Sequence, residues 1–359
     1  MKIAFIVSSK NKIPPDKTGG VEYAVYYLIK ELANKGHDIK LYAASGSDVK
    51  GVKVEYISPF FDFDHEHPNL EERIVSFYDL NFMAEFFYSE EWKKFDLIHY
   101  NNYIFYEILP FVKNINIPVI IRMNYPHDFV FKYLKKKMLD FKNVYYLPTS
   151  KFITSIMPGL PYLDPIAPTI NIKDFKYSKK EGDYLLSIGR VCPEKGTHLA
   201  IEVALKSKKK LVIAGGVKKS HHNYFNEKIR PYIDNKNIIY VGEVDFKTKI
   251  KIYQKALATL FPIQWNEPFG LVLLESMACG TPVITFNKAA TSEIVKHRES
   301  GFLVKDGNVS EMADFVSELP EIKRSKVRAF AENNFSISSS ADKYEKICNS
   351  LIKKNKNKS

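Results

Sequence analysis

Tyr184-Leu185-Leu186-Ser187-Ile188-Gly189-Arg190-Val191-Cys192-Pro193-Glu194-Lys195-Gly196-Thr197 decides the fold. Residues 184–188, apolar except for Ser187, read as a buried strand of a parallel sheet that ends at Ile188. Gly189 then turns the chain, and a helix is predicted to start near Gly196-Thr197. This unit stands midway along 359 residues, after a stretch that disfavours any long element. There Met157-Pro158-Gly159-Leu160-Pro161, Pro165 and Pro168 punctuate the chain and residues 176–182 are polar, as where one domain hands over to another. Beyond it strand-helix alternation restarts, with strands predicted over 211–214, 238–241, 257–261 and 282–286, and helix from Ser310 to about Lys354.

The first half has the same grammar. Residues 2–8 read as a buried strand, followed by a loop with Pro14-Pro15 and Gly19-Gly20. Val21, Ala24, Val25, Leu28 and Leu32 then line one helical face, and Gly36 suits that helix's C-terminus. Strands are predicted over 39–43, 97–100, 118–123 and 144–147, with helical stretches near 103–112 and 128–141. Two successive blocks of this kind imply two doubly wound α/β domains facing each other across a cleft. The expected boundaries are 1–165, a linker over 166–182, 183–335, and a C-terminal helix with a basic tail over 336–359.

Composition narrows the classes. Apolar residues at 45% and charged residues at 26% exclude wholesale disorder. No apolar run approaches the ~18 residues of a membrane span, and residues 3–7 are too short for a signal peptide. Cys192, Cys279 and Cys348 are far apart and odd in number, against a disulfide framework and for a reducing compartment. No Cys or His cluster has zinc-ligand spacing. A cytoplasmic chain without a metal is expected. The net charge of +12 concentrates at Lys135-Lys136-Lys137, Lys208-Lys209-Lys210 and residues 353–358. These clusters read as solvated helix faces and a frayed terminus, or as a peripheral contact with an anionic membrane surface. A nucleic-acid partner is not expected, since no reader motif accompanies the charge.

Chemistry concentrates in the second half. Asn266-Glu267-Pro268-Phe269-Gly270-Leu271-Val272-Leu273-Leu274-Glu275 follows the strand at 257–261, at the carboxyl edge where open sheets bind ligands. Pro268 suits the first turn of a helix, and the amides of Phe269, Gly270, Leu271 and Val272 would form an anion site at its start. Glu275 lies five residues past Gly270, about 7–8 Å along a helix, the separation between a bound diphosphate and its ribose. A carboxylate accepts hydrogen bonds from paired hydroxyls, so Glu275 suits the ribose and Glu267 the sugar beyond the diphosphate. The plainer alternative has Glu267 complementing a helix dipole and Glu275 solvated. Against it, the helix is apolar nearly all round, and a carboxylate carried on such a helix needs a partner.

Arg190 and Lys195 sit five apart in the strand-to-helix loop and are placed to bracket one diphosphate, or to make surface salt bridges with Glu194 or Asp183. Gly19 and Gly20 would let a backbone lie against a phosphate or sugar, although no dinucleotide fingerprint follows and a flexible loop explains them equally. His99 and His127 follow predicted strands of the first half, each as a cleft residue or as ordinary packing. The stretch Phe60-Phe61-Asp62-Phe63-Asp64-His65 with Phe77-Tyr78 either shapes an acceptor site or packs under a long loop.

These motifs together resemble the group 1 glycosyltransferases (glycosyltransferase family 4), over nearly the whole chain. The resemblance rests on Glu267-Pro268-Phe269-Gly270 through Glu275, on Ala278-Cys279-Gly280-Thr281-Pro282-Val283, on Gly189-Arg190-Val191 with Glu194-Lys195-Gly196, on Gly19-Gly20 with Glu22, and on a late helix bearing Phe335 and Tyr344. It implies the GT-B architecture of two facing Rossmann-like domains with a C-terminal helix crossing back. It also implies retaining transfer from a UDP- or GDP-sugar to a glycan, lipid-linked or small-molecule acceptor, with no cofactor and no obligatory metal. Arg190 and Lys195 would then hold the diphosphate, Glu275 the ribose and Glu267 the donor sugar. The sequence departs from the family at Asn124, where many relatives carry a histidine, with His127 three residues on, and at Pro168-Thr169-Ile170-Asn171. A sugar-nucleotide epimerase of the same architecture, or a non-catalytic sugar-nucleotide-binding subunit, is the alternative.

Overall fold

The computed structural model describes residues 1–15, 19–59, 61 and 67–357. The chain forms two units, Met1–Thr169 with Ile337–Ser359, and Ile170–Ser336.

The first unit is built on a parallel sheet of β1 (Lys2–Val7), β2 (Asp38–Ala44), β3 (Lys53–Ser58), β4 (Leu97–Asn101), β5 (Val119–Met123) and β6 (Val144–Pro148). Its strand order is β3-β2-β1-β4-β5-β6. The second carries β7 (Tyr184–Ile188), β8 (Lys210–Ala214), β9 (Ile238–Gly242), β10 (Ala256–Phe261), β11 (Val283–Phe286) and β12 (Gly301–Val304). Its order, β9-β8-β7-β10-β11-β12, repeats that of the first. In each sheet the strand order reverses direction at one central pair, β1/β4 or β7/β10. The crevice beyond the carboxyl ends of such a pair is where this kind of sheet takes a ligand.

Helices bury the sheet faces. Helix Gly20–Asn34 puts Val25, Ile29 and Leu32 on one side of the first sheet. Helix Ile337–Lys356 joins the same cluster through Ala341, Tyr344, Cys348 and Leu351. His99 is central in β4, 1% exposed, stacked on Phe5 at 4.6 Å and hydrogen-bonded through Nδ1 to the Tyr344 hydroxyl at 2.9 Å. It is a packing residue that holds the last helix, not a residue of a ligand crevice.

Two departures from the sequence expectation matter for function. Residues 68–88, where no element is predicted and Phe77-Tyr78 reads as an acceptor-site or packing pair, form one helix, Pro68–Tyr88. Its apolar residues run all round, exposed at Leu70, Ile74, Phe77 and Tyr88 and buried at Val75, Phe82, Met83 and Phe86, so no helical period shows in the sequence. Edge strand β3 was also invisible, because only Ser58 of it is buried and the apolar run of a central strand is missing. Phe60 and residues 62–66 of the aromatic stretch lie outside the described residues.

Candidate functional site

The loops after β7 and β10 meet at the central pair of the second sheet. Gly189 donates its N–H to Ala214 O, and Val191 donates to Gly216 O, both at 3.0 Å. A Cβ on Gly215 would lie 1.7 Å from Gly189 O, so only glycine permits this approach of the β7 and β8 loops. A short 3₁₀ turn, Pro193–Lys195, follows, and Gly196 closes it at φ 68°. A Cβ on Gly196 would sit 2.0 Å from Pro262 O, and Gln264 N–H donates to Glu194 O at 2.8 Å. The Arg190–Lys195 loop is thus clamped by backbone contacts to the segment after β10.

That clamp brings Lys195 to Glu267, which is 8% exposed. The Lys195 ammonium donates to Glu267 Oε2, and Trp265 Nε1 donates to the same oxygen at 2.8 Å. The ammonium also lies 5.4 Å from the Trp265 ring centroid and 5.7 Å from that of Phe261. Arg190 is exposed on the same loop.

Pro268 and Phe269 lie ahead of the next helix rather than in its first turn. Gly270 adopts φ 102°, ψ 68°, outside the helical region, so the helix runs Leu271–Ala278. Phe269 is 5% exposed and packs edge-on against Phe335 at 6.0 Å, so its ring belongs to the packing and not to a ligand site. At the new start, the amides of Leu271 and Val272 belong to the first turn, where helix geometry supplies no acceptor.

Glu275, on that helix, has the partners its setting demanded. Lys249 Nζ donates to Oε1 at 2.7 Å, and the Tyr253 hydroxyl lies 2.9 Å from Oε2 and 3.2 Å from Val272 O. Burial, and secondarily Glu275 itself, raises the Tyr253 pKa well above the ordinary value, so the phenol keeps its proton for donation. Lys249 and Tyr253 stand one turn apart on helix Phe246–Gln254. Their i, i+4 spacing was the available signal, but it names a partner only once the helix is known to pack beside Leu271–Ala278. The carboxylate still has lone pairs for a ligand's hydroxyls.

The first unit has its own polar cluster at β1/β4. Asp79, 4% exposed on helix Pro68–Tyr88, accepts from Ser9 N–H at 2.8 Å on Oδ1. Its Oδ2 accepts from the Ser8 hydroxyl at 3.2 Å and from Asn102 Nδ2 at 2.7 Å. Burial raises its pKa against the pull of those bonds. Burial and the Asp79 charge push Glu107 up to about 7. Glu107 Oε2 and the Tyr100 hydroxyl are buried without a hydrogen-bond partner among the described residues. The sequence reading missed this cluster together with the helix that carries Asp79.

Around it, Asn124 donates to Asn101 Oδ1. His127 sits half-buried just before helix Asp128–Met138, with Phe105 and Tyr103 ring centroids at 5.1 and 5.6 Å. Burial lowers its pKa, which favours the neutral imidazole. Gly19 precedes helix Gly20–Asn34, and a Cβ there would lie 2.7 Å from Pro15 Cγ and 2.8 Å from Glu22 Oε2. The structure therefore gathers Arg190, Lys195, Glu267, Gly270, Leu271, Val272 and Glu275 within the second unit, while Gly19, Gly20 and His127 belong to the first.

Comparison with known proteins gives matches over both units. Residues 169–336 match the family described as Glycosyl transferases group 1, and residues 18–155 match Glycosyltransferase Family 4. YtcC of Bacillus subtilis is 31% identical over 144 residues, 37% of this chain and 35% of that protein. The D-inositol 3-phosphate glycosyltransferase of Acidothermus cellulolyticus is 30% identical over 152 residues, 39% of this chain and 34% of its own length. The chain thus matches about a third of the length of these two relatives. The O-antigen biosynthesis glycosyltransferase WclY of Escherichia coli is 25% identical across 98% of this chain and 99% of its own. Among solved structures, Anabaena HepE in complex with UDP and glucose superposes with a TM-score of 0.74 at 16% identity, covering 98% of this chain and 100% of that one. Sucrose-phosphate synthase from Thermosynechococcus elongatus gives 0.78 at 17% identity, over 98% and 99%.

Proposed function

This chain belongs to the group 1 glycosyltransferases, and we propose that it moves a sugar from a UDP- or GDP-sugar to an acceptor hydroxyl with retention at the anomeric carbon. The observation that carries the reading is the pairing of Lys195 with Glu267 and of Lys249 with Glu275 beside one glycine-led helix start.

In this reading the diphosphate lies against Arg190, the amides of Leu271 and Val272, and Lys195. A pyrophosphate competes with Glu267 for the lysine, and Glu267 is released to take the sugar hydroxyls. Glu275, its charge balanced by Lys249, accepts from the ribose. Fixed positive charge meets the leaving group where negative charge develops, so the design needs no obligatory metal. The acceptor hydroxyl attacks on the face the phosphate leaves, and the departing phosphate oxygen takes its proton. A nearby solved relative of the fold holds UDP and glucose, which supports a sugar nucleotide as donor. The first unit then serves the acceptor.

Isothermal titration with UDP and GDP tests the reading. Wild type binds at least one of them, and Arg190→Ala and Lys195→Ala bind it more weakly; binding unchanged in both variants refutes the diphosphate assignment. Glycosylated product with free nucleotide, and no epimerised donor, separates transfer from the epimerase and binding-subunit alternatives.

The acceptor side also bears on partners. Helix Asp128–Met138 exposes Phe129 at 73% and Tyr133 at 65% beside Lys132 and Lys136. Aromatic rings interleaved with lysines suit an anionic bilayer surface. Flotation with anionic vesicles, fading with salt, is expected; equal or absent binding to anionic and neutral vesicles refutes it. No helix among the described residues is long and apolar enough to cross a membrane.

A further inference from the structure

We propose that Cys192, Glu194 and His221 form a binding site for one zinc-type divalent cation. The Cys192 thiol, a Glu194 carboxylate oxygen and a His221 ring nitrogen lie within 4.8 Å of one another. They come from the loops that follow two neighbouring parallel strands, β7 and β8, at the carboxyl edge of the second sheet. Cys192 opens the turn Pro193–Lys195, and His221 ends the turn Lys219–His221.

This trio is invisible to a spacing rule, because 26 residues separate Glu194 from the histidine. Only the sheet brings them together. Zinc bound by thiolate, imidazole and carboxylate has bonds of about 2.0–2.3 Å, which puts tetrahedral ligand atoms roughly 3.3–3.7 Å apart. Closing from the observed spacing takes only a modest swing of the two less buried side chains. Glu194 is exposed and His221 half-exposed, so they can move, while Cys192 at 1% exposure supplies the fixed anchor. The loops themselves are already held, by Val191 N–H to Gly216 O and Gln264 N–H to Glu194 O.

The donor set selects the cation. One sulfur and one imidazole favour a borderline-soft ion over Mg²⁺ or Ca²⁺, and three protein ligands leave a fourth position for water. Binding releases the thiol proton to solvent as the sulfur–metal bond forms. Such a cation ties the β7 loop that carries Arg190 and Lys195 to the β8 loop. The expectation of metal-free transfer concerns charge on a diphosphate and is separate from this site.

Titration of the untagged full chain with Co²⁺, followed by absorption, tests it without any donor or acceptor. The expected result is a thiolate-to-cobalt charge-transfer band that saturates at about one equivalent, is displaced by Zn²⁺ and resists Mg²⁺. Cys192→Ser should abolish the band. His221→Ala, a half-exposed position tolerant of truncation, should weaken Co²⁺ at least about tenfold. The absence of a band in wild type, or a band that survives Cys192→Ser, overturns the site, as does unchanged affinity in folded His221→Ala. Because the readout is the metal's own spectrum, failure here leaves the diphosphate reading intact, and the reverse holds too.

Discussion

Each sheet of this protein places buried and half-buried acids near the point where its strand order reverses, and the two solve the problem of those acids differently. In the second unit Glu267 faces Lys195 and Glu275 faces Lys249. In the first, Asp79 is surrounded by neutral donors, namely Ser8, Ser9 and Asn102, and Glu107 keeps a buried oxygen without a partner. The same topology thus pairs its acids with lysines in one unit and, among the described residues, holds Asp79 with neutral donors in the other. A cation held by a carboxylate is a counter-ion that an incoming phosphate can claim. An acid held by hydroxyls and amides offers only hydrogen bonds.

The largest effect should come from breaking the cation side. Lys195→Met keeps the aliphatic stem but removes the charge, and transfer should fall by ~10²–10³-fold. Stability should also drop, by up to about 3 kcal/mol, because Glu267 is left as an uncompensated carboxylate at a largely buried site. Adding Glu267→Gln should recover most of that stability in urea titrations while UDP or GDP binding stays lost. Recovery of both would mean that the pair is purely structural, and the contrast between the units would vanish.

Asp79→Asn is the sharper test of the neutral side. One carboxylate oxygen becomes an NH₂ group facing donors, either the Ser9 N–H or the Ser8 and Asn102 groups. The expected loss is about 1–3 kcal/mol in urea unfolding, with nucleotide affinity unchanged. A drop in UDP or GDP affinity would show that the two clusters do not divide the work as described.

The smallest effect is in pH dependence. Glu107 moves from an ordinary value of 4.5 up to about 7 on folding, chiefly through burial. The folded chain therefore binds more protons than the unfolded chain between those values. The stability from this group is complete below pH 4.5 and is lost as pH rises through about 7. Glu107→Gln should flatten that part of the stability–pH curve; an unaltered slope would remove Glu107 from the cluster.

The legibility of these features in the sequence follows their physics. Central strands such as residues 3–7, apolar without a break, and 184–188, interrupted only by Ser187, are apolar because both faces are covered, and they were readable. Lys195, Glu267 and Glu275 stood out because they lie in short loops and a helix beside such strands, and the structure places each acid in an ion pair with a lysine. What escaped was set by tertiary context. The start of helix Leu271–Ala278 was displaced by the Gly270 dihedrals. Lys249 and Tyr253 acquire meaning only through a neighbouring helix. Asp79 rides on a helix whose apolar residues are spread around its circumference, half of them in solvent, so that neither the element nor the acid announces itself.

The last helix, Ile337–Lys356, fills the same hydrophobic cluster as Ile3, Phe5, Leu97 and Ile120. During synthesis the first sheet therefore leaves the ribosome long before the segment that covers this side of it. All of residues 170–336 must be made in between. Until then the face that Tyr344 and Leu351 will occupy stays open to water and to chaperones. Vectorial folding is complete for the second unit before it can be complete for the first, so a chain stopped short at residue 336 would carry a finished rear half and a front half prone to aggregate.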